Sequence, residues 1–441
     1  MTPTHQPRLK PAEQSLLRNP VDVAAFLTFW LIPLYLLSAR LEVPGMGAIG
    51  QPATLLALGA GVWWLVARAV TELGLDQRSN PVRVALFVYA FYMVVSFGVG
   101  GMRSLTELEQ SASLRALIDV AALVSIALIA SDGIASLDRL SRLLRRMTTI
   151  GVLFALYGIL QSITGEDHLL SPPGLVWNSG VIPGVGTRGG FVRPFGTGLH
   201  PIEYGVVVAS LLPLAIHFFL HPESTRDRGQ AIAETAVLVY AMLVSLSRSA
   251  IVSAGGAVVV LGLGWSWRRR FNAFIVMLFG VPIVGTIVPG LFGQMVELLT
   301  GLEDHASVQA RIERVPRILA LIRERPWFGW GHGTYTVDDY FLIDNQLWVT
   351  TITSGIVGLV VVMSLPMVAA GAVVWFSGRL ERSNPAVRSM GWAIAASIAG
   401  LMLSTVVFTA FSYRILTFTL FLLLGCAGAF FRLAKELLQA E

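Results

Sequence analysis

Charge is scarce in this sequence. Asp, Glu, Lys and Arg supply 13% of its 441 residues, against about 25% in an ordinary soluble domain, so a chain of this length cannot clothe a water-facing surface with them. Cysteine is nearly absent. The single one, Cys426, sits in a late apolar block, which excludes an intrachain disulfide. None of the seven histidines has metal-ligand spacing. No phosphate-cradling loop, serine nucleophile elbow or dinucleotide fingerprint occurs, because the Gly-x-Gly pairs lack the strand, turn and helix those motifs require. An internal repeat of the transporter kind is missing too. The polar start MTPTHQPRLKPAEQSLLRNP holds no short apolar core with a small-residue cleavage site, so a cleaved signal peptide is not expected.

Apolar residues make up 54% of the chain and come in blocks long enough to cross a hydrocarbon core of about 30 Å. The sequence therefore reads as an all-α polytopic transmembrane bundle, one integral membrane domain over 1–441. We read about twelve spans, at 22–39, 52–69, 83–100, 113–131, 147–164, 201–220, 230–247, 249–267, 271–290, 347–376, 389–409 and 414–432. The tenth is long for one crossing, and Pro366 offers a kink within it. With the N-terminus inside, 20 of the 32 Lys and Arg residues fall in cytoplasmic segments. The positive-inside rule then predicts a cytoplasmic tail at 1–20, both termini cytoplasmic, and long extracytoplasmic loops at 165–200 and 291–346, the second preceding the tenth span. These two loops would roof an outward-facing active site. The first is rich in Gly and Pro, which argues for an irregular fold without helix or strand. A net charge of +5 spread between apolar blocks gives no soluble basic face, so the expected partner is the lipid bilayer and not nucleic acid.

The stretch from Arg311 to Gly358 is too polar to span a bilayer and too long for a mere connection. Arg311, Arg314 and Arg317 recur at i, i+3 spacing, which predicts a shared helix face. Pro326 stops that helix, and the tract Trp327-Phe328-Gly329-Trp330-Gly331-His332-Gly333 follows, with Asp338, Asp339, Asp344 and Asn345 before the next apolar run. Arg193 closes the first long loop, ahead of Gly196, His200 and Glu203. Arg248 occupies a tight connection, Ser247-Arg248-Ser249. An arginine near hydrocarbon costs about 2.5–3.5 kcal/mol at the bilayer centre, so it pairs or lines a polar cavity, and Arg193, Arg248 and Arg311 together suit an anion. Arg40, Arg103 and Arg414 are expected to reach up to headgroups. Acids within spans are few: Asp119 and Glu234 suit interior anchors. Asp344 is either a catalytic base or a helix N-cap.

Three local patterns resemble the bacterial O-antigen ligase and polymerase superfamily, membrane glycosyltransferases that use polyprenyl-diphosphate-linked glycans. Arg193 with Gly196 resembles its Arg-x-x-Gly element, and Ser247-Arg248-Ser249 its Ser-Arg turn. The third pattern is Arg311, then Pro326 through Gly331 with Gly329 between, then Asp344-Asn345 and Gly355-x-x-Gly358. The ligases carry His before that Asn, so Asp344 departs from their pattern and favours a polymerase. The resemblance implies a polyprenyl-diphosphate-linked glycan donor, a glycan or glycolipid acceptor, a chain-length regulator as partner, no cofactor or metal, and a place in the inner (plasma) membrane. By the same resemblance Arg193, Arg248, Arg311, Arg314 and Arg317 bind the diphosphate, and Asp344 is catalytic, with His332, His305 and Glu203 as alternatives. Guanidinium groups can hold a departing diphosphate bidentately, and a carboxylate can accept the acceptor hydroxyl's proton, which would invert the anomeric centre. Ligation to a different acceptor and transport or flipping of a lipid-linked glycan remain the competing readings.

Overall fold

The structure, a computed structural model, describes residues 22–70, 75, 80–178, 185–287, 293, 305–337, 340–380 and 384–440. The tail at 1–20, Asp338 and Asp339 lie outside them. Without water to bond to, an apolar segment must satisfy its own N–H and C=O groups, and it does so as helix. Among the described residues there are thirteen helices: α1 (Val23–Leu36), α2 (Pro52–Ala69), α3 (Pro81–Gly101), α4 (Glu107–Gly133), α5 (Leu137–Thr164), α6 (Pro201–Leu220), α7 (Thr225–Val244), α8 (Arg248–Leu263), α9 (Trp267–Ile287), α10 (His305–Glu324), α11 (Gln346–Arg379), α12 (Pro385–Ser404) and α13 (Arg414–Ala440). Each expected span coincides with one of them, and α10 lies in the second long loop. Eight, α2 to α6 and α11 to α13, are long and apolar enough to cross a membrane. The protein is an all-α polytopic bundle.

Its centre is α13, which packs along α4. Small residues let the two backbones close: a Cβ on Gly425 would strike the Ala127 carbonyl and Ala130, and one on Gly428 would strike Ser131. Such close approach supplies dispersion where lipid and side chain are equally apolar. At the end of the bundle where α3 begins, Arg83 pairs with Asp132 at 3.1 Å, and Trp64 Nε1 donates to the same carboxylate. Removing one partner of such a buried pair typically costs about 3–5 kcal/mol.

Three expectations change. The arginines expected to reach for headgroups are held by the protein: Arg40 is buried over the Phe195 ring, Arg103 forks onto Glu109, and Arg414 pairs with Asp119 at 3.3 Å. The first long loop takes part in two short ladders: its β2 (Val176–Trp177) pairs with β1 (Leu41–Glu42) from the connection between α1 and α2, and its β3 (Gly186–Arg188) pairs with β4 (Phe191–Arg193). The Gly-rich stretch read as strandless contains Gly189-Gly190, both at positive φ, the backbone a two-residue hairpin turn demands.

The third concerns α11. Its one non-helical residue is Gly355, at φ 69°, ψ −176°, and not the expected Pro366. A break there frees the carbonyls of Ile352 and Thr353 and the N–H groups of Ile356 and Val357, which would otherwise bond each other across one turn. The loop after α10 takes them all. Trp330 N and Gly331 N donate to the Ile352 and Thr353 carbonyls at 2.9 and 2.8 Å, while Ile356 N and Val357 N donate to the Pro326 and Trp327 carbonyls at 2.8 and 3.3 Å. Tyr92 Oη donates to the Ser354 carbonyl. A Cβ on Gly358 would meet the Tyr92 ring. Pro326, Gly329, Gly331, Gly355 and Gly358 therefore serve one joint between the loop after α10 and α11.

Gly355→Ala places a left-handed alanine against the Trp327 carbonyl. The conformation, φ 69° with ψ −176°, is nearly confined to glycine and alone costs about 1–3 kcal/mol for another residue, so a clear drop in detergent melting temperature is expected, and an unchanged melt would show that the joint is dispensable. Orientation is tested with single cysteines in a Cys426→Ala background. Leu170→Cys and Val337→Cys, both exposed, are expected to react with an impermeant thiol reagent in intact cells, and Arg226→Cys only after permeabilisation. The opposite pattern would invert the topology.

Candidate active site

Two turns and two helix starts meet at one end of the bundle. The connection from α7 to α8 is only three residues, and its middle one, Leu246, has φ 46°, the one positive φ outside glycine among the described residues. A left-handed leucine is strained by about 1–2 kcal/mol, and burial against Leu243 and the partly buried Phe191 and Met242 offsets it. The tight turn puts Ser247 at the N-cap of α8, its hydroxyl accepting from Ala250 N at 3.3 Å, and Arg248 in the first turn. The positive end of the helix dipole there favours an anion.

The β3–β4 hairpin lies against this turn. Arg193 Nε donates to the Ser245 carbonyl at 3.4 Å, and Phe191 packs into the Leu246 cluster. Burial, then the neighbouring Arg188 charge, lowers the Arg193 guanidinium to about 10, which still leaves it charged at neutral pH. From the other side, Arg314 of α10 donates to the Leu342 carbonyl at 3.1 Å. Asn345 caps α11, accepting from Leu347 N and Trp348 N, and its amide donates to the Val406 carbonyl at 2.7 Å. The cap expected of Asp344 is thus supplied by its neighbour.

These elements enclose a cavity of about 390 Å³. Its polar lining is Arg188, Arg193, Arg248, Arg314, Asp344 and Asn345 with Ser247 and Ser249, and its apolar wall includes Ile202, Ile318, Trp348 and Val406. At the rim, His200 caps α6, its Nδ1 accepting from Ile202 N at 3.1 Å. Burial and Arg193 lower its pKa while Asp344 raises it. Burial, then the charges of Glu203 and Asp344, push the Tyr413 phenol up to about 12.

Residues 235–363 match the O-antigen ligase family. The match supports the O-antigen ligase and polymerase superfamily, and with it a multi-pass membrane enzyme of glycosyltransferase type acting on lipid-linked glycans. No curated protein matches the chain. The family segment contains Arg248, Arg314, Asp344, Asn345 and the α11 joint, whereas the hairpin with Arg188 and Arg193 precedes it.

The remaining O-antigen-ligase-like motif residues fall elsewhere. Arg317 is exposed outside the cavity, because an i+3 step slips about 60° round a helix of 3.6 residues per turn and carries it off the face on which Arg314, Val315 and Ile318 line the cavity. Arg311 and His305 belong to the α10 backbone, but their side chains lie outside the described residues. Glu203 is fully buried, accepting from Leu199 N at 2.7 Å and Ile415 N at 2.9 Å, and so ties the start of α13 to α6. His332 is packed beside α4, bonded to the Ala116 backbone, and burial depresses it to about 4. Arg188 is the cavity residue that the sequence reading passed over. The Gly-Gly pair after it is a hairpin signal that points to it.

His332 sets a pH test. With a folded pKa of about 4 against about 6.5 in an exposed histidine, the unfolded chain binds more protons between those values. The stability from a neutral ring is therefore complete above about pH 6.5 and lost toward pH 4. His332→Gln should flatten the fall in melting temperature between pH 6.5 and 4. An unchanged slope would mean the ring is not held neutral.

Proposed function

We infer that this protein transfers glycan units from a polyprenyl-diphosphate-linked donor to an acceptor sugar on the extracytoplasmic face of the inner membrane. The observation that carries this is the convergence of four guanidinium groups and one carboxylate, Asp344, on a single cavity within and beside the segment that matches the O-antigen ligase family. A diphosphate fits among the arginines, which can fork onto its oxygens, and the apolar wall suits the first isoprene units. The acceptor oxygen attacks the anomeric carbon, its proton passes to Asp344, and the bond from that carbon to the diphosphate breaks with its electron pair left on phosphate. The anomeric centre inverts. Fixed guanidiniums stabilise the charge where it develops, in a site that need not reorganise to do so.

Chain polymerisation is the reading we favour, because a carboxylate stands where the ligases carry histidine. The matched family's description as O-antigen ligase favours single transfer to another acceptor. Purified protein given a lipid-linked oligosaccharide separates the two: a ladder of repeats means polymerase, and one addition to a distinct acceptor means ligase.

Asp344→Asn keeps the shape and removes the base, so turnover should fall by roughly 10²–10⁴-fold with donor binding retained. Arg193→Ala and Arg248→Ala should weaken donor use, and the corresponding Lys variants should recover only part of it, since an ammonium lacks the planar fork. Normal turnover in Asp344→Asn, together with loss in His332→Ala or His305→Ala, would move the base to a histidine.

A further inference from the structure

In an antiparallel ladder, paired residues and residues two apart point to the same face. The register pairs Gly186 with Arg193 and Arg188 with Phe191, so Arg188, Phe191 and Arg193 share one face of the hairpin. Phe191 fixes that face against the α7–α8 turn, and both arginines line the cavity. Gly186, opposite Arg193, adds no side chain between them. Diagonal neighbours on one face are within reach of long side chains, and the Arg188 charge adds to burial in lowering the Arg193 guanidinium. A bound anion would relieve the repulsion between the two.

The reaction inferred above generates such a charge. A diphosphate esterified at both ends carries one negative charge per phosphate, two in all. When the bond to the anomeric carbon breaks and its electron pair stays on oxygen, the outer phosphate becomes a monoester with a second pKa of about 6, and the leaving group carries close to three charges at neutral pH. Four guanidiniums line the cavity, more than the two charges of the donor call for.

We propose that Arg188 is a further catalytic residue, clamping the departing diphosphate together with Arg193 and selecting the three-charge leaving group over the two-charge donor. This rests on the glycan-transfer reading of the same cavity. Removal of Arg188 should therefore lower turnover more than donor affinity, while product release becomes faster.

Two probes differing by one charge test it with the full-length protein in detergent: geranylgeranyl diphosphate, and its methyl ester on the outer phosphate. Wild-type protein is expected to bind the free diphosphate more tightly, with the preference fading below about pH 6 as the outer phosphate is protonated. Arg188→Ala should reduce that preference by roughly tenfold, the scale of one charge-assisted hydrogen bond. Arg188→Lys should restore much of it. Arg248→Ala should weaken both probes. An intact preference in Arg188→Ala, or equal weakening of both probes, overturns the proposal while the transfer reading stands. Failure of wild-type protein to bind either probe sinks both.

Discussion

A helix interrupted within an apolar bundle leaves backbone groups that apolar side chains cannot satisfy, and the architecture around α10 and α11 follows from how one such interruption is closed. The break at Gly355 strands two carbonyls and two N–H groups of α11, and the segment from Pro326 to Gly331 exchanges bonds with all four. An unsatisfied pair of buried groups costs about 1–3 kcal/mol each, so the loop and the helix cannot easily part. The loop is fixed just after α10 ends, which fixes where α10 lies. Arg314 on that helix and Asp344 at the head of α11 then line one cavity, and the bond from the Arg314 side chain to the Leu342 carbonyl adds a second tie between α10 and the segment before α11.

The cationic side of the cavity is positioned differently. Arg248 follows a left-handed leucine, and Arg188 and Arg193 flank a Gly-Gly turn. Both devices are short, strained or glycine-dependent, and both are stitched together by Phe191 and the bond from Arg193 to the Ser245 carbonyl. Local strain of this kind persists only where surrounding packing over-determines it, and here the packing is the bundle itself, through α7 and α8. Charges on long side chains are thereby brought to one cavity by backbone devices and packing.

Sequence patterning was sufficient for the all-α bundle, because each apolar block must satisfy its own backbone as helix, and eight of the helices have the length and composition to span a bilayer. It also led to Arg193, Arg248, Arg314, Asp344 and Asn345, which share the cavity. It did less well wherever a partner far along the chain decides a residue's fate. Arg40, Arg103 and Arg414 found an aromatic ring or a carboxylate within the fold, and no local pattern announces those meetings. Pro366 is a helix breaker by composition, yet the kink moved to Gly355 because the stranded groups had partners there and not at the proline. Arg317 failed for a plainer reason: i, i+3 spacing keeps two residues on one face but not three.

The carboxylates Glu203 and Asp344 sit in different settings. Glu203 and Asp344 lie near enough for both to act on Tyr413, and either has the chemistry of a base. Glu203 has spent its oxygens on the backbone N–H groups of Leu199 and Ile415, and no part of it lines the cavity. Taking a proton there would weaken the bonds that hold α13 to α6, so its use as a base would loosen the bundle in each turnover. Asp344 lines the cavity beside the guanidiniums, and the cap it might have furnished is supplied by Asn345. The cap of α11 thus rests on the Asn345 amide, a group that does not titrate, while the carboxylate beside it is part of the cavity lining.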